Sequence, residues 1–247
     1  MNTQNMSGRS RLYRLGGAAA LFAMCTNLLD IILGFGGTEA ITYGSRSALQ
    51  WFVIYQESAF QGFYALGILN IVYMIAMLPL YVALMVAHRQ KQIFQATLVV
   101  ILFLLAMSIY LSTNAALPLW VLSMKYALAD TQAQKAFFIA AGESVLARGE
   151  DFTPGSFMPL FLSGFAALSI SFIMLRGGIF GKATAWVGIA GFTLLSLFTI
   201  CATFIPPLHT LAFYGFASIG GVLALIWFAL VARRLFQLGK HEQGDVE

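Results

Sequence analysis

Charged residues are scarce in this chain of 247 residues. Asp, Glu, Lys and Arg together make up 10% of it, whereas soluble domains contain roughly 25%. Hydrophobic residues account for 60% of the chain. This balance excludes an ordinary soluble domain and indicates a membrane protein. The net charge of +4 is not gathered into a basic block, so the sequence predicts no nucleic-acid partner.

Cysteine and recognisable catalytic motifs are also nearly absent. The two cysteines, Cys25 and Cys201, lie inside apolar runs, where a free thiol behaves as a small buried hydrophobe. The chain has no zinc-protease helix motif, no phosphate-binding glycine loop and no nucleophile elbow. The sequence therefore predicts no cofactor, assigns no catalytic residue and leaves open whether the protein is an enzyme.

Long apolar runs are what the chain has in abundance. A hydrocarbon core of about 30 Å requires roughly 20 apolar residues in a helix, because only internally hydrogen-bonded backbone is stable there. Six segments meet this length: residues 15–35, 62–87, 93–117, 156–175, 184–205 and 210–232. The first resembles a signal peptide in its basic start, but its length favours a membrane span. The sequence predicts a single all-α domain over residues 1–247, with six transmembrane helices.

The basic residues predict the orientation of these spans, because cytoplasmic loops are enriched in Lys and Arg. With six spans, ten of the fourteen Lys and Arg residues fall on one side: Arg9, Arg11, Arg14, Arg89, Lys91, Arg176, Lys182, Arg233, Arg234 and Lys240. The other side holds the remaining four and six acids: Glu39, Glu57, Asp130, Glu143, Glu150 and Asp151. Both termini are therefore predicted to be cytoplasmic.

This topology also decides how the three histidines are interpreted. His88 and His241 fall on the cytoplasmic side and His209 on the outer side, so the three cannot form one metal site. The sequence predicts no metal. His88, between the second and third spans among Arg89 and Lys91, is predicted to be a solvated loop residue. Residues 1–10 are predicted to be a disordered polar tail.

The outer surface is predicted to carry amphipathic helices. Residues 119–149 have apolar positions at roughly helical spacing with charges on the other faces, which predicts one or two helices over the outer mouth of the bundle. Between the first two spans, Trp51, Phe52, Tyr55 and Phe60 predict a further helix at the membrane interface. Together these segments form a predicted outer cap.

Polar side chains within the spans predict a pocket under this cap. Asp30, Asn70 and Asn114 come from three different spans at similar depth in their outer halves, and a carboxylate in a span requires a partner or water. A structural explanation, in which Asp30 only reaches the interface, stays open beside it. The candidate ligand-binding residues are Asp30, Asn27, Asn70, Asn114, Lys125, Glu143 and His209. Lys125 is the cation best placed to reach Asp30.

Two strings carry a family resemblance: LSTNAALPLWVLSMKYALADTQAQKAFFIAAGESVLA and MLRGGIFGKATAWVGI. They resemble the bacterial domain-of-unknown-function 4386 family of membrane proteins over about half of the chain. The family pattern corresponds here to Asn114, Ser123, Tyr126, Ala127, Ala129 and Ala140–Glu143. The resemblance implies a multi-span protein of a bacterial inner membrane and supplies no activity.

Three functions are compatible with these patterns. The leading hypothesis is a protein that binds or transports a small amphiphile or lipid, entered from the outer side. An enzyme acting on a lipid-linked substrate, with Glu143 or His209 as the base, is one alternative. A scaffold or subunit that packs on a partner or a second copy through small residues, such as Gly220 and Gly221, is the other.

Overall fold

The computed structural model of the protein describes residues 3–36 and 46–244, and all regular structure within these ranges is helical. The helices are α1 (Thr3–Gly36), α2 (Ala48–Glu57), α3 (Ala59–Ala65), α4 (Ile68–Ala87), α5 (Ile93–Thr113), α6 (Ala116–Ala127), α7 (Gln132–Gly149), α8 (Phe157–Gly177), α9 (Lys182–Phe204), α10 (His209–Leu211) and α11 (Ser218–Gly244). A 3₁₀ turn, Pro206–Leu208, precedes α10, and a π-helical turn, Ala212–Ala217, follows it.

Six helical segments are long and apolar enough to cross a membrane: Gly8–Leu29, Ile68–Ala87, Ile93–Ala127, Phe157–Gly177, Lys182–Phe204 and Pro206–Glu242. This confirms the predicted all-α, polytopic fold with six spans. The protein is a multi-pass membrane protein. The predicted single domain over residues 1–247 stays a prediction.

The six long helices form a closed ring in the order α1, α4, α5, α8, α9, α11, each packed on its two neighbours. Large side chains occupy much of the interior of the ring, among them Tyr81, Phe103 and Trp227, all less than 2% exposed. The rings of Tyr81 and Phe103 stack with centroids 4.2 Å apart, joining α4 to α5. Large apolar side chains such as Phe94 and Trp186 are exposed on the outside of the ring, as expected of helices surrounded by lipid tails.

The first helix begins earlier than predicted. Residues 1–10 were expected to be disordered, but α1 is helical from Thr3. The reason is packing against α11: the Ser10 hydroxyl donates to the Gly239 carbonyl at 2.6 Å, and Arg9 pairs with Glu242 at 3.2 Å. Arg89 reaches the same carboxylate at 3.6 Å. This ion cluster fastens three helices at the end of the bundle that carries the termini.

Two of the predicted spans are interrupted at the end of the bundle that lies opposite the termini. The predicted span 62–87 is divided at Gly67, which has a left-handed φ of +76° and separates α3 from α4. The predicted span 93–117 stops being helical at Asn114. Pro118 lies in the first turn of α6, a position in which proline leaves no backbone acceptor unsatisfied. Both breaks lie at the base of the cap.

The cap consists of α2, α3, α6 and α7. The last two are the helices of the predicted segment 119–149, separated by the non-helical residues 128–131. Ser47 and Thr131 start α2 and α7 with capping boxes completed by Gln50 and Gln134. The aromatic side chains of α2 form the core of the cap and do not lie on the membrane surface as predicted. Trp51, Phe52 and Tyr55 are 3%, 0% and 4% exposed. Phe60 alone of the four is exposed.

His88 is buried, which contradicts the prediction made from the topology. It caps the end of α4 and is 1% exposed, although it was predicted to be solvated. Its Nδ1 lies 2.8 Å from the Leu84 carbonyl, and its ring stacks on Phe180 with centroids 5.6 Å apart. Burial lowers the pKa of His88, and this effect exceeds the opposing one of the Leu84 hydrogen bond. The side chain locks the α4–α5 turn onto the α8–α9 turn.

Candidate binding site at the mouth of a bundle cavity

Asp151 is the centre of a polar cluster where the cap meets the bundle. The Asn70 amide, in the first turn of α4, donates to Asp151 Oδ2 at 3.0 Å. The Tyr110 hydroxyl, near the end of α5, lies 3.2 Å and 3.3 Å from the two Asp151 oxygens. The carboxylate therefore accepts hydrogen bonds from two different spans.

Asn114 supports this cluster from behind. Its Nδ2 donates to the Leu66 carbonyl at 3.1 Å and to the Tyr110 hydroxyl at 3.3 Å, while its Oδ1 accepts from the Ala116 backbone N–H at 3.0 Å. Asn114 is 7% exposed. It satisfies backbone groups released by both helix breaks, at the end of α3 and at the start of α6, as buried polar groups require.

Gly67 makes the approach of α4 to the cluster possible. A Cβ atom at this position would lie 2.8 Å from the Tyr110 hydroxyl oxygen and 3.0 Å from Asp151 Oδ2. Its positive φ is also a conformation that side chains with a Cβ rarely adopt. The turn between α3 and α4 thus needs glycine for its backbone angle and for the space that it leaves to the cluster.

The turn that carries Asp151 is fixed by close backbone packing. The Gly149 carbonyl accepts from the Ala115 N–H at 3.3 Å, and a Cβ at Gly149 would overlap the Thr113 carbonyl. The end of α7 is thereby held against the break between α5 and α6. Asp151, two residues later, is placed beside Tyr110.

Phe152 has an unusual backbone conformation next to the cluster. Its φ is +60°, which costs a non-glycine residue on the order of 1–3 kcal/mol and is concentrated at functional sites. This conformation lets the Phe152 ring pack against Phe198 and Phe213, with centroids 4.9 Å and 6.2 Å away. The same backbone leaves the preceding Asp151 side chain facing Asn70.

A cavity of about 210 Å³ opens beside this cluster and extends between α4, α8 and α9. Its polar end is formed by Asn70 and Asp151. Its body is mainly apolar and aromatic, lined by Tyr73, Met74, Met77, Tyr81, Phe152, Leu160, Ser163, Gly164, Ala167, Phe192, Leu195, Phe198 and Thr199. Along α4 the lining covers residues 70 to 81, which corresponds to about 16 Å at 1.5 Å per residue.

The structure brings three of the predicted site residues to this region. Asn70 lines the cavity, and Asn114 contacts the same cluster through Tyr110. Asn27 of α1 hydrogen-bonds the side chain of Tyr73, a lining residue. Asp30 lies in α1, but its side chain is outside the described residues, as is any contact it makes with Lys125.

The other predicted site residues lie elsewhere. Glu143 Oε1 accepts from the Ala48 N–H at 2.7 Å and so joins α7 to the start of α2. His209 Nε2 lies 2.7 Å from the Ala202 carbonyl, at the end of α9. Lys125 is exposed in the last turn of α6. None of these three lines the cavity.

Neither Tyr110 nor Asp151 was among the predicted ligand-binding residues. The spacing of Tyr110 and Asn114, four residues apart in one helix, places them on one face and is the signal that identifies Tyr110. Asp151 lies two residues after Gly149 and precedes Pro154 and Gly155, which indicates only a turn before a span. Its approach to α4 and α5 is a tertiary contact that no local pattern encodes.

Comparison with known proteins gives no relative: no protein-family model, no curated protein and no solved structure matches the chain.

Proposed function

We propose that this membrane protein binds a small amphiphile in the cavity between α4, α8 and α9. The head group lies at Asp151 and Asn70, and the apolar part extends toward Tyr81. The observation that carries the proposal is the division of one cavity into a polar mouth and an apolar, aromatic body. Ligand sites are typically apolar cavities with a few fixed polar groups.

The size of the cavity limits the ligand. Pockets for drug-sized molecules occupy roughly 300–1,000 Å³, whereas this one is about 210 Å³. The space suits one short apolar chain or ring better than the two acyl chains of a phospholipid. Binding can serve uptake, transport or sensing, and transport across the membrane requires a second opening toward the termini.

We also propose the orientation and location of the protein. Both termini face the cytoplasm and the cap faces the opposite side of the membrane, because most Lys and Arg residues lie on the side of the termini. A bacterial inner membrane is proposed on the resemblance of the two sequence strings alone, since no family model matches the chain. In this orientation an amphiphile enters the cavity from outside the cell, beneath α2 and α7.

Two small residues, Gly17 and Gly220, are used within the bundle, whereas a Cβ at Gly221 would meet nothing within 4 Å, so the scaffold alternative stays open at Gly221. A Cβ at Gly17 would lie 3.1 Å from the Phe236 ring, and one at Gly220 would lie 3.1 Å from the Gly191 carbonyl oxygen. These glycines are therefore used to pack α1 on α11 and α9 on α11 within one chain. A partner that docks on them would have to displace helices of the bundle.

A filled cavity tests the proposal. Ser163→Phe on α8 places a ring into the cavity, and Ser169→Phe on the same helix, which lines a separate groove with Phe172, is the matched control. Both variants and the wild type are reconstituted in phosphatidylcholine nanodiscs and titrated with C8 amphiphiles by calorimetry against empty nanodiscs. Saturable binding lost in Ser163→Phe and kept in Ser169→Phe is expected. Equal binding by both variants would contradict the cavity as the site.

A further inference from the structure

We infer that the groove between α5 and α8, on the outside of the ring, binds one anionic phospholipid of the membrane. One acyl chain lies in the groove, and the phosphate lies at Arg176 and Lys91, at the end of the bundle that carries the termini. This site is separate from the cavity between α4, α8 and α9 and does not depend on the proposed function.

The groove has the surface of a site for a lipid chain. Its volume is about 350 Å³. Leu98 of α5 and Phe165 and Phe172 of α8, each about half exposed, form its rim, and the buried Val99 and Ile173 form its floor. Because the rim residues are exposed on the outside of the ring, the groove opens to the membrane and not to the interior of the bundle.

The depth of the groove matches one leaflet of the membrane. Along α5 the lining runs from Gln95 to Leu102, which corresponds to about 10 Å at 1.5 Å per residue. It begins within the first turn of the helix, which starts at Ile93. A hydrocarbon core of about 30 Å gives each leaflet about 15 Å. The groove therefore lies in the leaflet next to the termini, and its end reaches the head-group level of that leaflet.

Two basic residues lie at that end of the groove. Arg176 is in the last turn of α8, four residues after Phe172, so the two share a face of the helix. A helical side chain leans toward the N-terminus of its helix, which for Arg176 is the direction of the groove. Lys91 lies in the turn before α5. A Cβ at Gly177 would lie 3.3 Å from Gln92 Oε1, so the residues that follow the two cations in the chain are neighbours.

The charge at this end favours an anion. Arg176 and Lys91 are exposed, and neither forms an ion pair within the described part of the chain, where the acid at this end, Glu242, is paired with Arg9 and Arg89. A guanidinium can bind a phosphate through two parallel hydrogen bonds, and basic residues between transmembrane helices recognise anionic head groups. A zwitterionic lipid or the apolar face of a second copy would leave this charge unmatched.

Two phospholipids with the same acyl chains test the inference: dioleoylphosphatidylglycerol, which is anionic, and dioleoylphosphatidylcholine, which is zwitterionic. Each is titrated into delipidated protein in detergent at pH 7, and bound lipid is counted by native mass spectrometry. We expect one phosphatidylglycerol to bind about tenfold or more tightly than phosphatidylcholine, because each cation near the membrane surface contributes about fivefold. Arg176→Gln is expected to lose most of this preference. Arg233→Gln, at an exposed arginine of α11, is the matched control and is expected to keep it.

A second pair of variants tests the groove itself. Leu98→Trp places a ring in the groove and is expected to weaken the binding of phosphatidylglycerol. Leu105 is also exposed and lies seven residues further along the same face of α5, outside the groove. Leu105→Trp is therefore the matched control and is expected to bind phosphatidylglycerol as the wild type does.

Equal affinity of the wild type for the two lipids would overturn the inference, as would equal losses in Arg176→Gln and Arg233→Gln. Equal binding of phosphatidylglycerol by the two tryptophan variants would show that the groove is not the site. A lipid-free dimer that is lost in Leu98→Trp would assign the groove to a second copy of the chain and would also overturn the inference. The comparison of the two lipids on wild-type protein decides the matter even where a variant does not fold. None of these measurements involves the cavity, so they are independent of the proposed binding of a small amphiphile.

Discussion

Gly67 and Tyr110 approach so closely that a Cβ atom on the glycine would lie 2.8 Å from the tyrosine hydroxyl oxygen. The two residues belong to different spans, yet together they bring Asp151 to the mouth of the cavity. The contact explains why a left-handed turn interrupts an apolar run at this position. Substitutions that add or remove a single group at either residue can therefore test the cluster.

Gly67→Ala is expected to destabilise the protein more than the same substitution at Gly178. Both glycines have a positive φ, +76° and +70°, so both variants incur the cost of a left-handed alanine, about 1–2 kcal/mol. Only Gly67 has the cluster within contact distance, since a Cβ at Gly178 meets nothing within 4 Å. The measurement is the thermal unfolding midpoint of both variants in the same detergent. Equal decreases would show that the contact with Tyr110 and Asp151 has no energetic weight.

Tyr110→Phe removes the one hydroxyl that links Asn114 to Asp151. The half-buried Asp151 acceptor and the buried Asn114 donor each lose a partner, so we expect a loss of about 1–3 kcal/mol in the free energy of unfolding. The affinity for the C8 amphiphile that the wild type binds should also fall, because Asp151 is less firmly positioned. Tyr214→Phe, at a side chain that is 69% exposed, is the control and should change neither quantity. An unchanged unfolding midpoint in Tyr110→Phe would argue against the network.

Glu143→Gln tests the joint between the cap helices α7 and α2. The carboxylate accepts from the Ala48 N–H at 2.7 Å and lies at the positive end of α2, so removing its charge should cost about 0.5–1 kcal/mol. The effect is local, and hydrogen exchange of α2 amides is expected to accelerate while α8 amides are unchanged. Glu57→Gln, an exposed acid at the other end of α2, serves as control. Unaltered exchange in α2 would show that the hydrogen bond between Glu143 and the Ala48 N–H does not stabilise α2.

The buried His88 predicts a dependence of stability on pH. Its folded pKa is lowered from the ordinary value of 6.5 by burial, so the unfolded state binds a proton below pH 6.5 that the folded state does not. The stabilising effect is therefore fully present above pH 6.5 and is lost as the pH falls below it, by at most about 1.4 kcal/mol per pH unit.

Unfolding midpoints at pH 7.5 and pH 5.5 measure this effect. The wild type should lose stability at the lower pH, and His88→Asn, whose amide can still donate to the Leu84 carbonyl, should lose less. His241→Asn replaces an exposed histidine and should behave as the wild type. A pH dependence that is identical in all three proteins would assign it to other groups.

The spans could be predicted from sequence because hydrocarbon thickness fixes helix length and apolar composition fixes their location. The polar site was predicted only in part. Asn70 and Asn114 were recognised since an amide in a span requires a partner. The partner of Asn70 proved to be Asp151, which lies in a turn after α7, and Asn114 reaches Asp151 only through Tyr110. That contact depends on how α7 docks on α5, and no periodicity within either helix reports it.

The errors share one physical origin. Trp51 and Phe52 were assigned to the membrane surface because an apolar helical face does not reveal whether lipid or protein covers it. His88 was assigned to solvent because Arg89 and Lys91 follow it, although a residue that caps a helix can turn its ring inward. In both cases the type of residue was interpreted correctly, but the sequence does not show which group packs against it.

The ring order of the helices has a consequence for biosynthesis. α1 leaves the ribosome first and α11 last, yet they are adjacent in the ring and share the Gly17 and Gly239 contacts. Until α11 has been synthesised, the face of α1 that will receive it must be covered by lipid or by an assembly factor. Closure of the ring therefore waits for the synthesis of α11, whereas the residues that line the cavity, between positions 70 and 199, have all been synthesised before it.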